Sequence, residues 1–272
     1  MPELFMGLSD HLVPLLLAGA LAGFMAGLLG IGGGVVTIPA LFTVFGDLGI
    51  EHEWRMHAAI GTSLAIIIAT NSSSVYAHHK KGGVDWGIVK DWWYLIALGA
   101  LAGAFFAKSL KTTELIYFFS ALIALLAIKM LLPLDKFKFG ETLPGGVPRF
   151  TNPLIIGFFS SVMGIGGGSF SVPYLTLYSV PIHRAVGTAA LAGLVISISG
   201  GFGYLAGGWN VAGLPAGMAG FIHVPSMVIV AVAAVVLAPL GVKAAHALPK
   251  KALSIIFGVF LIAAAARMLS AV

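Results

Sequence analysis

The chain has 272 residues, of which 59% are apolar and only 9% charged, with a net charge of +5 and a mean hydropathy of +1.02. A water-soluble domain of this size uses about 25% charged residues to wet its surface, so composition excludes a soluble globular fold and points to a lipid-embedded one. The absence of cysteine excludes disulfide frameworks, thiolate metal sites, iron–sulfur clusters and cysteine nucleophiles.

The first ten residues carry Glu3 and Asp10 and no basic residue, unlike the positive start of a cleavable signal. A crossing helix needs about 20 apolar residues. Spans of that order are predicted at Leu12–Leu29, Ala58–Ala77, Ile88–Phe106, Leu115–Leu132, Ala185–Ala206, Val224–Leu240 and Ala252–Leu269. Three apolar runs are short: Val35–Phe45, Pro153–Met163 and Ser169–Val180. As helices these would cover about half the hydrocarbon core. Gly19, Gly23 and Gly27 recur every fourth residue and read as a helix-packing stripe. Trp54, Trp86, Trp92, Trp93 and Trp209 read as interfacial anchors.

The short runs match each other. Gly30-Ile31-Gly32-Gly33-Gly34 leads to Ile38-Pro39, and Gly164-Ile165-Gly166-Gly167-Gly168 leads to Val172-Pro173. His57 to Gly61-Thr62 matches His183-Arg184 to Gly187-Thr188, and Lys129-Met130-Leu131 matches Arg267-Met268-Leu269. The chain is an internal duplication: a first membrane repeat over 1–134, a cytoplasmic linker over 135–149, and a second repeat over 150–272.

Charge sets the expected orientation. Lys80, Lys81 and Lys90 share a side with Lys136, Lys138 and Arg149, and that side should be cytoplasmic. A parallel second half would leave Lys243, Lys250 and Lys251 outside. An inverted one brings them and Arg184 inside, so two inverted repeats of about five segments are expected in an all-α polytopic membrane protein. Lys108 and Lys111 then face outward against the charge rule.

A glycine-rich break in the bilayer is tolerated only where it is buried in protein or lines a wet cavity. Each break here precedes a short helix whose first N–H groups lack intrahelical partners and carry the positive dipole end. Glycine lets a ligand approach the backbone. Two such tips meeting near mid-membrane from opposite faces form an anion cradle without a buried Lys or Arg. The predicted substrate contacts are Gly32, Gly33, Gly34 and Thr37 in the first half, and Gly166, Gly167, Gly168, Ser169 and Ser171 in the second. Thr62, Thr188 and Asn71 add polar groups. Ser72, Ser73, Ser197 and Ser199 read as helix-packing residues. His57, His183 and Arg184 are expected at the mouths, where a His can respond to pH.

Other chemistry finds no support. No glycine pattern in a βαβ context marks a dinucleotide site. His78 and His79 lack the companions a metal site needs, and no cofactor is expected. No nucleophile–base–orienter set appears, so the chain is not expected to be an enzyme. The basic residues serve topology and imply no nucleic acid. No Asp or Glu follows Glu141, which argues against a carboxylate proton relay. An anion leaves a negative interior downhill, so export needs no coupled ion. Uptake would need one, and sodium held by carbonyls and hydroxyls is compatible with the sequence.

The doubled Gly-Ile-Gly-Gly-Gly motif with Pro39 and Pro173, together with Gly61-Thr62 and Gly187-Thr188, resembles the TauE/SafE sulfite and organosulfonate exporters. The resemblance runs from about Leu12 to Leu269. It implies a bacterial inner-membrane secondary transporter that exports small sulfur-containing oxyanions, sulfite or organosulfonates, by alternating access. An uptake permease or an anion channel for another small organic anion stands as the alternative. The partners implied are a small anionic substrate and the lipid bilayer, and a homodimer is left open.

Overall fold

The computed structural model describes residues 10–29, 32–131, 138–247 and 250–271. The first five helices are α1 (Leu12–Leu29), α2 (Gly34–Asp47), α3 (His52–Lys80), α4 (Trp86–Ser109) and α5 (Thr112–Leu131). The next five are α6 (Val147–Met163), α7 (Gly168–Leu177), α8 (Ile182–Gly208), α9 (Val224–Ala247) and α10 (Lys250–Leu269). A small antiparallel ribbon, β1 (Met218–Ala219) and β2 (Ile222–His223), separates α8 from α9. Helices α3, α4, α8 and the Val224–Gly241 stretch of α9 are long and apolar enough to cross a membrane. Outward-facing Leu125, Phe202, Val232 and Val236 leave apolar side chains exposed, as a lipid-facing surface requires. The chain is a helical, multi-pass membrane protein.

Several helices are longer than their apolar cores. Helix α3 begins at His52, because Trp54, Arg55 and His57 continue the helical turn although they interrupt the hydropathy. Helix α6 runs from Val147, which corrects the short Pro153–Met163 segment. Pro148 lies in its first turn, where the missing N–H costs nothing. Trp92 is buried and packs on Tyr174 at 5.5 Å, so it is a packing residue and not an interfacial anchor. Gly19 and Gly23 do act in packing: a Cβ on either would collide with the backbone of Val230 or Ala234 on α9.

The ends of the bundle follow from contacts. At the end called upper here, the α4–α5 turn meets the start of α3 through Thr112 Oγ1, which donates to the Glu53 carbonyl at 2.6 Å. Phe42, near the end of α2, packs on His52. Gly207, near the end of α8, faces Lys108. At the lower end Arg149, in the first turn of α6, pairs with Asp91 of α4 at 2.7 Å. Arg184, at the start of α8, lies 3.9 Å from Asp85.

Packing is reciprocal between the halves. The first helix of each half lies against the fourth of the other: α1 against α9 and α6 against α4. The third helices α3 and α8 pack on each other, as do the fifth, α5 and α10. Thr62 and Thr188 occupy matching places in this exchange. Thr62 Oγ1 accepts from the His223 N–H at 2.9 Å, and Thr188 Oγ1 accepts from the Asp85 N–H at 2.9 Å. Each donor lies just before the fourth helix of the opposite half.

Candidate functional site

The two glycine breaks touch. A Cβ on Gly32 would sit 3.2 Å from the Gly166 carbonyl, and one on Gly34 would sit 2.5 Å from the Gly164 carbonyl and 3.1 Å from Ile165 Cα. Gly30 and Ile31 lie outside the described residues. Gly32 and Gly33 have φ of 85° and 72°, left-handed values that a side chain resists. Gly164 ends α6 in the same region, at φ 64°. Only glycine allows the backbones this close.

The tips differ in how their polar groups are paired. At the first tip, Thr37 Oγ1 and Ser63 Oγ are 2.9 Å apart. Ser63 Oγ donates across the halves to the Gly164 carbonyl at 3.0 Å, and Thr37 Oγ1 also reaches the Gly34 carbonyl at 3.3 Å. These hydroxyls are satisfied.

At the second tip the donors are spare. The N–H of Gly167 turns back to the Ile165 carbonyl, and that of Gly168 to the Gly166 carbonyl. The bare backbone cradle expected at Gly166–Gly168 is therefore reduced. Among the described residues the Ser169 N–H has no backbone acceptor. Asn71 Nδ2, Ser169 Oγ, Ser171 Oγ and Ser197 Oγ are buried without hydrogen-bond partners. Asn71 is 5% exposed, and its amide points at the second break. A Cβ on Gly166 would lie 3.2 Å from Nδ2, and one on Gly193 only 2.5 Å from it. Gly193 thus provides the space that admits the Asn71 amide. Ser197 read from sequence as a packing residue, yet its hydroxyl has nothing to pack with by hydrogen bonding. A buried, unpaired polar group costs about 1–3 kcal/mol, so this cluster calls for a partner.

The remaining expected residues fall elsewhere. His57 is 1% exposed, with Nε2 3.0 Å from the Ala107 carbonyl and its ring against Trp54 and Phe221. It is not an open mouth residue, because the ribbon between α8 and α9 covers it. His183 and Arg184 are exposed at the lower end, and the carbonyl of His183 faces Gly83. Thr62 and Thr188 are buried and engaged between the halves. Ser72 is exposed and donates to the Ile68 carbonyl.

Sequence reasoning did not anticipate a groove of about 320 Å³ at the upper end, lined by Phe42, Asp47, Arg55 and Arg267 among others. The match of Arg267 with Lys129 was the available signal, but nothing linked it to Arg55. The guanidinium of Arg55 donates to the Ile50 carbonyl and lies 5.5 Å from the Phe42 ring centre. The C-terminal ends of α2 and α10 and the Asp47 carboxylate offset the two guanidiniums, so this groove is not a strongly cationic funnel. Among the described residues no cluster of His, Asp or Glu has metal-ligand form.

Comparison with known proteins adds the family. A probable membrane transporter protein of Haemophilus influenzae is 34% identical over 93% of this chain and 96% of its own. Probable membrane transporter proteins of Methanocaldococcus jannaschii and Bacillus subtilis, the latter designated YunE, are 27% and 26% identical over 85% and 72% of this chain, and over 86% and 79% of their own. No solved structure matches. The family model described as sulfite exporter TauE/SafE matches residues 15–268, and with that match the chain, its two glycine breaks in contact at the centre, belongs to the TauE/SafE family.

Proposed function

We propose that this chain is a secondary transporter of small sulfur-containing oxyanions, sulfite or organosulfonates, and exports them across a bacterial inner membrane by alternating access. The observation that carries the reading is the set of unpartnered donors buried at the second tip. The Asn71 amide, the hydroxyls of Ser169 and Ser171 and the Ser169 N–H surround the start of α7, where the helix dipole favours a negative charge. An oxyanion placed there supplies the missing acceptors and needs no buried cation. The first tip, Gly32–Gly34 with Thr37, forms the opposing wall. With the tips in contact, a ligand enters only when they part. That favours a carrier over an open channel.

An inverted arrangement of the two halves is part of the same reading. α1 and α2 meet the upper end, and α6 and α7 the lower end, as two hairpins entering from opposite faces would. Lys80, Lys81, Lys90, Arg149 and Arg184 gather at the lower end, which the positive-inside rule makes cytoplasmic. The related proteins of Haemophilus influenzae and Bacillus subtilis are named probable membrane transporter proteins, and that role is extended here to this chain. Energetics supports export, since an anion leaving a negative interior gains about 2.3 kcal/mol per charge per 100 mV.

The test is binding of sulfite, methanesulfonate and sulfoacetate to the purified protein by calorimetry, with acetate as control, followed by counterflow in proteoliposomes. Saturable binding of at least one sulfur anion, lost in Asn71→Ala, is expected. Binding of none of the three, or equal binding of acetate, would reject the substrate class.

A further inference from the structure

The spare donors at the second tip are all neutral, and the helices around it bring no charged side chain to the tip. The Asn71 amide is 5% exposed and points at Gly166, and the hydroxyls of Ser169 and Ser171 are buried without partners at the start of α7. No titratable side chain occurs in residues 58–75 of α3, 150–163 of α6 or 185–203 of α8. The titratable groups of α3 and α8 sit towards the helix ends, with His57 and Tyr204 at the upper end and Tyr76, His78, His183 and Arg184 at the lower. On α7, Tyr174 lies more than a turn past Ser169, where it accepts from Asn152 Nδ2 at 2.7 Å and packs on Trp92. On the side of the first tip, α1 holds no titratable group and α2 only Asp47, at its far end. Among the described residues no Lys, Arg, Asp or Glu is buried.

Such a site treats one charge and two differently. The cost of taking an ion out of water rises with the square of its charge, whereas its attraction to fixed dipoles rises only in proportion. The second charge of a dianion therefore adds about three times the desolvation cost of the first, for no larger gain from amide, hydroxyl and backbone donors. A dianion needs a buried cation to balance it. The start of α7 offers only the partial charge of a helix end, about half an elementary charge. A serine hydroxyl can accept as well as donate, so a monoanion that keeps an acidic proton is equally well served.

We propose that the second tip selects singly charged anions, so that hydrogen sulfite and alkylsulfonates bind and the sulfite and sulfate dianions do not. This selectivity rests on the reading that places the oxyanion at this tip, and narrows its substrate to one charge state. It also separates methanesulfonate from sulfoacetate, which carries a second charge on its carboxylate.

The experiment is anaerobic calorimetry on the purified full-length protein with methanesulfonate and sulfite, each at about pH 6 and about pH 8. Methanesulfonate is a monoanion at both, so its affinity reports any change in the protein and is expected to stay constant. Hydrogen sulfite loses its proton near neutrality, so the apparent affinity of sulfite should fall roughly tenfold over that range as the monoanion becomes the minor species. Methyl sulfate and sulfate share four oxygens but carry one and two charges. Methyl sulfate should bind, and sulfate at least about tenfold more weakly. Asn71→Ala should weaken methanesulfonate and methyl sulfate together, which ties the signal to this tip. A sulfite affinity that holds or rises towards the higher pH against a constant methanesulfonate, or sulfate binding as tight as methyl sulfate, would overturn the selectivity and leave the oxyanion site standing. Binding untouched by Asn71→Ala, or failure of methanesulfonate, methyl sulfate and sulfite alike to bind, would reject the oxyanion site itself and the selectivity with it.

Discussion

The first and second glycine tips share one motif in sequence, yet the structure makes different use of them. At the first, Thr37 and Ser63 pair with each other and reach the Gly164 carbonyl, so the polar groups are consumed in joining the halves. At the second, Ser171 occupies the place of Thr37, but Ala189 stands where the first half has Ser63, and the Ser171 hydroxyl is left unpartnered. Ile67 likewise fills the first tip, touching Gly34 and Gly166, where its repeat mate Gly193 leaves room for Asn71. The repeated motif alone would give two equal tips. On the proposed reading, small changes on the neighbouring helices make one a binding centre and the other its latch.

The largest effect that would break this contrast is expected at Gly193. Gly193→Val places carbon where the Asn71 amide sits and should lower sulfonate flux in proteoliposomes at least 100-fold, a barrier of about 2.7 kcal/mol or more. Survival of transport would deny the second tip its role. Asn71→Ala is expected next, with affinity weaker by roughly 10- to 100-fold in calorimetry, the worth of about one to two buried hydrogen bonds. Ser63→Ala sharpens the contrast from the other side. It removes the bond between halves and should change the turnover rate by about threefold to tenfold with binding affinity unchanged. A large loss of affinity would make the first-tip hydroxyls direct ligands of the anion and not a latch beside it.

Two further tests bear on the frame that holds the tips. Single cysteines at Glu53 and Arg184, both exposed, should label with an impermeant maleimide from opposite faces of intact vesicles. Labelling from one face would remove the inverted arrangement and with it the opposed tips. The smallest effect is on stability against pH. His223 lies in the ribbon before α9, outside the spans, and its burial pushes its pKa down from 6.5 to about 4. The folded form therefore keeps His223 neutral while the unfolded chain takes up a proton below 6.5. Stability should fall as pH drops from 6.5 towards 4, by at most about 1.4 kcal/mol per unit. His223→Gln should flatten that slope in detergent melts.

Much of the fold was legible because hydrophobicity and glycine act locally. The run Leu12–Leu29 is a helix with those bounds, and the described parts of the two glycine segments, Gly32–Gly34 and Gly164–Gly166, do meet. Helix ends were less legible, since amphipathic turns such as His52–His57 stay helical without being apolar. The candidate site was legible only as residue types. Asn71, Ser169 and Ser171 appeared in the pattern, but which hydroxyl finds a partner depends on what the facing helix presents. Ser63 and Gly193, which decide it, carry no motif. His57 could not be placed because its cover, the Phe221 turn, lies more than 160 residues away in the chain.

The threonine bonds between the halves have a mechanical consequence. Thr62 holds the approach to α9, Thr188 holds the approach to α4, and α1 and α6 each rest on a helix from the other repeat. The line along which this molecule can part is therefore not the midpoint of its sequence. A fragment holding only one half of the chain would leave its first helix without the helix of the other half on which it rests.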